Sequence, residues 1–211
     1  MTHVLKEIAT KLYAGDNQVV AELVQAALDQ GLKPAEVLNG GLMAGMDLVG
    51  VDFRDDKLFV PEVLIAARAM HAGLDVLHPF LATGDITLAG KVMIGTVSGD
   101  LHDIGKDLVA MMLEGSGFEV VDMGTDVAPE SFVEAIRKEE PDLLGLSALL
   151  TTTMPNMKVT IDTLAEAGMR ENLKVIVGGA PVTQEFADEI GADGYAPDAG
   201  SAIDLVRTLL G

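Results

Sequence analysis

The fold is decided by residues 91–115, which read KVMIGTVSGDLHDIGKDLVAMMLEG. They begin with a short, nearly continuous apolar run, as expected for a strand buried on both faces of a sheet. A polar loop follows, and apolar residues then recur at helical spacing from Ile104 to Gly115. The stretch therefore predicts a strand, a loop and a helix in succession, which together form one βα unit.

Four more units of this kind follow along the chain. The later strands are predicted at 118–123, 142–148, 173–177 and 194–196, and the later helices at 129–138, 155–167, 182–190 and 199–210. This alternation predicts an α/β domain with a doubly wound, five-stranded parallel sheet of the flavodoxin or Rossmann type. In such sheets ligands bind outside the carboxyl ends of the strands, so the informative residues should follow each strand.

The residues before this domain have a helical hydrophobic period instead. Helices are predicted at 3–14, 17–30, 34–51 and 60–81, and their short connections favour a four-helix bundle of antiparallel neighbours. Turn-forming residues at 83–87 mark the boundary between the two patterns. The predicted domains are therefore a bundle at 1–87 and an α/β domain at 88–211.

Composition excludes several classes of function. The chain has 14 Lys and Arg against 33 Asp and Glu, a net charge of −19, which would repel a nucleic acid backbone. It has no cysteine, which removes disulfides, thiolate zinc sites and cysteine nucleophiles. No apolar run approaches the roughly 20 residues that cross a bilayer, so we expect a cytoplasmic protein with no membrane partner.

The loop after the first strand carries a possible metal ligand. It reads Gly99-Asp100-Leu101-His102-Asp103-Ile104-Gly105. His102 can ligate a metal through one ring nitrogen while the carboxylate of Asp100 accepts the proton on the other. Gly105 would leave room for a bulky group. The alternative is that Asp103 caps the next helix and that His102 is an ordinary surface residue.

Two later strands also end in residues that suggest a binding slot. Ser147-Ala148-Leu149-Leu150-Thr151-Thr152-Thr153 follows the third strand, and Gly178-Gly179 follows the fourth. Alone, hydroxyl residues are ordinary helix caps and a glycine pair is an ordinary turn. At successive strand ends of one sheet, they predict a deep slot beside the His102 loop.

Together these motifs resemble a known signature. The pattern Asp100-x-His102-x-x-Gly105, then Ser147-x-Leu149, then Gly178-Gly179 is similar to the cobalamin-binding signature of methionine synthase, of methanol and methylamine corrinoid proteins and of the base-off mutases. The resemblance covers essentially the whole chain, since this family places a four-helix cap ahead of the same α/β domain. The likeness is greatest to the small stand-alone corrinoid proteins.

The resemblance implies a role for each residue of the motifs. His102 would replace the cofactor's own dimethylbenzimidazole as the lower cobalt ligand, Asp100 would hydrogen-bond to His102, and Thr153 stands where methionine synthase completes a relay with serine. The displaced nucleotide tail would pass Gly105 into the slot. The other residues that the resemblance places at the cofactor are Asp103, Ile104, Ser147, Leu149, Thr151, Gly178, Gly179, Tyr195 and Ala199, with Phe59 and Met70 from the cap.

The resemblance also implies a function as a methyl carrier rather than as a complete enzyme. Cobalt would cycle between cob(I)alamin and methylcob(III)alamin, taking the methyl group from a substrate-specific methyltransferase. A second methyltransferase would pass it to an acceptor such as coenzyme M or tetrahydrofolate, and a reductive activation protein would restore the cofactor. The cap would have to swing aside, with 83–87 as the hinge. The donor is chosen by the partner, so methanol, methylamines, betaines and aryl ethers stay open.

Three other functions remain as alternatives. A cobalamin-dependent regulator would share the module, but that class carries a DNA-binding segment and a tryptophan, and this chain has no tryptophan. An adenosylcobalamin mutase subunit would lack a helical cap fused in this way. A receiver-like signalling domain would need a phosphorylatable aspartate in an acidic cluster at the strand ends.

Overall fold

The computed structural model describes residues 3–82 and 88–211. By its internal contacts the chain divides into two compact units, Met1–Ala89 with Met111–Gly117, and Gly90–Ala110 with Phe118–Gly211. The predicted boundary and hinge at 83–87 lie outside the described residues and stay predictions. Within the described ranges, no helix is both long and apolar enough to span a membrane.

The first unit, called the helical unit below, contains the helical segments that the hydrophobic period predicts. Its α-helices pack on one another, α2 along α5 and α1 against α2 and α4. In α1 the buried residues Leu5, Ile8 and Leu12 recur every three or four positions, which places them on one face of the helix. The elements are α1 (His3–Tyr13), α2 (Asn17–Asp29), α3 (Pro34–Val37), a π-helical segment (Leu38–Met43), α4 (Ala44–Arg54) and α5 (Val60–Ala82).

The third predicted helix is not regular. The π-helical segment Leu38–Met43 separates α3 from α4, where the sequence predicts one continuous helix. A Cβ atom on Gly41 would lie 3.1 Å from the side chain of Ile8, and one on Gly45 would lie 3.1 Å from the backbone of Ala9. The two glycines therefore allow a close approach of α1, which is the helix-packing role that their spacing favours.

The second unit, called the α/β unit below, confirms the predicted fold class. Its sheet is parallel throughout, with the order β2-β1-β3-β4-β5. The strands are β1 (Lys91–Thr96), β2 (Glu119–Asp122), β3 (Leu143–Ser147), β4 (Lys174–Gly178) and β5 (Gly194–Ala196). The helices are α6 (Ile104–Gly115), of which residues 104–110 belong to this unit, α7 (Pro129–Glu139), α8 (Pro155–Glu166), α9 (Gln184–Ile190) and α10 (Ala199–Leu210).

The order of the strands in the sheet indicates where a ligand would bind. From β1 the chain passes to β2 on one side and then returns to β3 on the other, so the order reverses between β1 and β3. The core beneath this point is apolar and dense, and it includes Met93, Phe132 and Leu144, each fully buried. Burial of each such side chain contributes roughly 1.5–3 kcal/mol. A rigid sheet therefore presents the ends of β1 and β3 at the place where open α/β sheets bind ligands.

Candidate functional site

The loop that carries His102 is fixed to the end of β1. The hydroxyl of Thr96, the last residue of β1, is buried and donates to the carbonyl oxygen of His102 at 2.9 Å. Gly99 turns the chain with a φ of +80°, a conformation that suits glycine. The next residue, Asp100, is fully buried, so the loop directs a carboxylate into the protein and not into solvent.

The Asp100 carboxylate is saturated with hydrogen bonds. Its Oδ1 accepts from the His102 ring Nδ1 at 2.7 Å and from the His102 backbone N–H at 3.1 Å. Its Oδ2 accepts from the Thr153 hydroxyl at 2.6 Å and from the Leu149 amide at 2.8 Å. Burial alone raises the pKa of Asp100, but these donors stabilise the charged form more strongly and lower the pKa well below its usual range. Asp100 is therefore a carboxylate, not an acid, at neutral pH.

This carboxylate sets the tautomer of His102. An ionised carboxylate can only accept, so the proton of the neutral imidazole lies on Nδ1 and leaves the Nε2 lone pair available. The His102 side chain is about half exposed, at 50%. In the described parts of the chain, no group of three or more His, Asp or Glu side chains is placed to bind a metal ion.

A cavity of about 530 Å³ opens beside His102 within the α/β unit. Its deep wall includes Ile94, Gly145 and Ile176, which are aligned across β1, β3 and β4. A Cβ atom on Gly145 would make only ordinary contacts, at 3.4 Å or more, and one on Gly105 would have no atom within 4 Å. The chain therefore does not need these two glycines for its own packing. They leave space for a ligand at the wall of the cavity.

The glycine pair after β4 is needed for packing within the chain, unlike Gly105 and Gly145. Gly179 has a φ of +129°, and a Cβ atom there would lie 1.9 Å from the carbonyl oxygen of Ala148. A Cβ atom on Gly178 would lie 3.1 Å from the carbonyl oxygen of Ala196. The pair therefore lets the ends of β3, β4 and β5 approach one another at the wall of the cavity.

Most of the predicted site residues are brought together. Asp100 and Thr153 lie behind His102 and hold it, as the hydrogen bonds above show. The predicted residues that line the cavity are His102, Asp103, Ile104, Gly105, Ser147, Leu149, Gly178 and Gly179.

Other predicted residues are not at the cavity wall. Tyr195 packs against the apolar core on the opposite face of β5, because successive side chains of a strand point to opposite faces. Ala199 is buried at the start of α10, and Thr151 is exposed in the turn before α8. The residues of this region that do line the cavity are Ala196, Pro197 and Ala202.

Phe59 and Met70 belong to the helical unit. Phe59 directly precedes α5 and is 65% exposed, whereas Met70 lies within α5 and is 1% exposed. Their role at the cofactor stays a prediction.

Sequence reasoning missed several residues that hold the site. Thr96 is one, and Asn156 is another, since its side-chain amide donates to the carbonyl oxygen of Ser98 at 2.6 Å. Lys106 is a third: its side chain is 1% exposed and its ammonium group donates to Asp107 and Asp122 at 2.5 Å each. Burial lowers the pKa of Lys106, but the two carboxylates outweigh burial and raise it. No local pattern marks Asn156 or Lys106, because the partners Ser98 and Asp122 lie on other parts of the fold.

Comparison with known proteins identifies the family. A family model described as a B12 binding domain matches residues 90–204, and a second model of the same description matches residues 4–78. The chain is 45% identical over 207 residues to dimethylamine corrinoid protein 1 of Methanosarcina acetivorans, covering 98% of this chain and 97% of the relative. It is 47% identical over 197 residues to trimethylamine corrinoid protein 2 of the same organism, covering 92% and 91%.

A solved structure agrees with these relatives. The methanol:cobalamin methyltransferase complex MtaBC of Methanosarcina barkeri aligns with a TM-score of 0.87 and 32% identity, over 98% of this chain and 79% of that one. The resemblance in the motifs, the parallel sheet and both matched domains therefore agree. The chain belongs to the corrinoid protein family, whose members have a B12 binding domain.

Proposed function

We propose that this protein carries a methyl group on the cobalt of a bound corrinoid, with His102 Nε2 as the lower axial ligand. The observation that carries the proposal is the Asp100–His102 pair. The 2.7 Å bond from Nδ1 to a fully buried carboxylate leaves Nε2 as the ligating atom, beside a cavity whose glycines leave room for a nucleotide tail.

The surface around His102 also suits a broad, flat ligand. Leu101 in the loop and Ile104 at the start of α6 are 71% and 74% exposed, and Leu149 and Leu150, which follow β3, are 43% and 42% exposed. Large apolar side chains grouped around one polar atom are typical of a binding site. A corrin ring above His102 would bury them and would be oriented by them.

The chain contributes binding, orientation and proton control. When bound, the corrinoid supplies a cobalt that accepts and donates the methyl group. Asp100 holds the imidazole in one orientation through Nδ1, and Thr153 holds Asp100. Asp100 thereby keeps the proton of the imidazole on Nδ1 and leaves Nε2 as the atom that would ligate the cofactor.

We further propose a methylamine-type methyltransferase as the donor partner. This rests on 45% and 47% identity to proteins named for dimethylamine and trimethylamine, across more than nine-tenths of each chain. A second methyltransferase that delivers the methyl group to an acceptor such as coenzyme M or tetrahydrofolate, and a reductive activation protein, complete the proposed system.

Electron paramagnetic resonance tests the axial ligand. The full chain is reconstituted anaerobically with hydroxocobalamin and reduced to the cob(II) state. With the histidines of the protein labelled with ¹⁵N, we expect a doublet splitting from one histidine nitrogen, which is lost in His102→Ala. Coordination by the ¹⁴N of the cofactor's own dimethylbenzimidazole would instead give a triplet. His3→Ala, which removes a 96% exposed histidine on α1, is the matched control and should keep the splitting. Persistence of the splitting in His102→Ala, or its absence from the wild type, would contradict the proposal.

The donor partner is tested by absorption spectroscopy. The cob(I) form is mixed with a purified dimethylamine, trimethylamine or methanol methyltransferase and the matching substrate. We expect methylcob(III)alamin to form with an amine system and not with the methanol system. Methylation by the methanol system alone would show that the donor assignment is wrong, without affecting the role of His102.

A further inference from the structure

We infer that Asp126, in the loop between β2 and α7, is a positioning residue for the Asp100–His102 pair. It fixes the turn at Ser98–Asp100 and so sets the direction of the Asp100 carboxylate. This inference rests on the proposed role of His102.

Asp126 hydrogen-bonds to the turn through both its side chain and its backbone. Its Oδ1 accepts from the Gly99 amide at 2.7 Å and from the Ser98 hydroxyl at 3.5 Å. Its own amide donates to the carbonyl oxygen of Asp100 at 2.9 Å. The peptide groups on either side of the Gly99–Asp100 link are therefore both held by one residue.

The turn needs an external constraint at this place. Gly99 has a φ of +80°, and glycine has more conformations available than any other residue. Asp100 follows it directly, and its carboxylate must meet the His102 ring at 2.7 Å inside the protein. A small rotation at Gly99 would move that carboxylate, so the 2.7 Å bond from the Gly99 amide to Asp126 controls the geometry of the pair.

The residue type at 126 is restricted by its backbone as well. Asp126 has a φ of +53°, in the left-handed region that aspartate and asparagine tolerate better than other residues with a Cβ. The next residue holds it there, because the Val127 amide donates to the carbonyl oxygen of Thr96 at 3.0 Å. Only asparagine matches aspartate in both the backbone conformation and the side-chain acceptor, whereas glycine matches the backbone conformation alone.

Asp126 acts through other residues and is not a ligand itself. Its side chain is exposed, and it is not among the residues that line the cavity. It hydrogen-bonds to Ser98, Gly99 and Asp100, and one residue, Leu101, separates Asp100 from His102. The part that it plays is therefore to hold the loop in place before a corrinoid arrives.

The test compares Asp126→Asn, which keeps the acceptor, with Asp126→Gly, which keeps the backbone conformation and loses the acceptor. The first readout is amide hydrogen exchange at Gly99 in the corrinoid-free chain. The second is the histidine-bound fraction of the cob(II) form by electron paramagnetic resonance. For Asp126→Gly we expect exchange about three- to tenfold faster and a lower histidine-bound fraction at the same pH. Asp126→Asn should stay within about twofold of the wild type.

A matched control separates positioning from general destabilisation. Asp193 also binds a backbone amide, that of Val175 at 2.7 Å, and it pairs with Arg170 at 2.8 Å. Asp193→Ala should lower the thermal midpoint and leave the histidine-bound fraction unchanged. Wild-type exchange and coordination in Asp126→Gly, or equal loss in Asp126→Asn and Asp126→Gly, would overturn the inference. Absence of histidine splitting from the spectrum of the wild type would contradict the proposed function. Hydrogen exchange at the Gly99 amide would still test the role of Asp126 in that case.

Discussion

The hydroxyl oxygen of Thr153 lies 2.6 Å from Oδ2 of Asp100, so a residue after β3 completes the hydrogen bonding of a carboxylate after β1. The same hydroxyl is 2.9 Å from the carbonyl oxygen of Leu150, but it has one proton to donate. A carboxylate is the stronger acceptor, and Asp100 is fully buried, so the proton goes to Asp100. The threonine at this position thus provides the hydrogen bond that the resemblance to methionine synthase assigns to a serine.

Replacing this hydroxyl should destabilise the apo protein. Thr153→Val keeps the shape of the side chain but leaves a buried charge with one donor fewer, and we expect a loss of about 1.5–3 kcal/mol in the free energy of unfolding. Thr153→Ser keeps the donor and should cost less than about 1 kcal/mol. Urea unfolding at pH 7 measures both. Equal stability of the two variants would show that the hydroxyl does not support Asp100.

Gly179 should tolerate no side chain. In Gly179→Ala the Cβ atom would overlap the carbonyl oxygen of Ala148, so we expect a loss of more than about 4 kcal/mol or a failure to fold. The control is Gly191→Ala, where φ is +76° but nothing lies within 4 Å. That variant should lose only about 1 kcal/mol. Thermal unfolding distinguishes them, and similar midpoints would mean that the contact with Ala148 relaxes.

Gly105 should show the opposite behaviour. Gly105→Ala adds a side chain in the first turn of α6, where nothing is close, so the apo protein should become more stable by up to about 1 kcal/mol. The same methyl group should weaken cobalamin binding by narrowing the path of the nucleotide tail. Cobinamide, which lacks the tail, should bind wild type and variant alike. Unchanged cobalamin affinity in a spectral titration would place the tail elsewhere.

Glu139 should make a contribution to the free energy of unfolding that decreases at acidic pH. Hydrogen bonds from Lys138 and Lys91 lower the pKa of Glu139 to about 2. A lowered pKa stabilises the folded state above the unfolded pKa, and this contribution is lost as pH falls through the folded value. The stability difference between wild type and Glu139→Gln should therefore be constant above about pH 5 and shrink from there to about pH 2. Unfolding across this range measures it.

The matched control for this titration is Glu134→Gln, which removes the same charge from an exposed position on α7. If both variants have the same pH profile, the bonds to Lys138 and Lys91 do not stabilise the folded state.

The fold could be predicted in most of its elements because the hydrophobic period changes clearly along the chain. The strand at Gly194–Ala196 and the helices at Ile104–Gly115 and Ala199–Leu210 were placed correctly to the residue. The π-helical segment Leu38–Met43 was not predicted, because its hydrogen bonding depends on packing within the fold and no residue type in the sequence marks it.

Residue types at the strand ends suggested the candidate site residues, whereas their positions relative to the cavity depend on geometry that the sequence does not show. His102, Asp100 and Thr153 are polar residues at strand ends, and the structure joins them by hydrogen bonds. Tyr195 packs against the apolar core and does not line the cavity, because the face of β5 that it occupies depends on the register of pairing, so its role at the cofactor stays a prediction. Asp126 was missed because an aspartate in a loop reads as an ordinary turn residue until its partner, Gly99, is known.

The bond between Thr153 and Asp100 joins residues 53 positions apart in the chain. Contacts of that span form only after the intervening loop has closed, and in parallel sheets they tend to form late in folding. In a partly folded chain Asp100 would not orient the His102 imidazole. We therefore expect such a chain to bind the corrinoid only weakly. We therefore expect the corrinoid to bind mainly to the fully folded protein. Its binding would in turn shift the folding equilibrium toward the folded state.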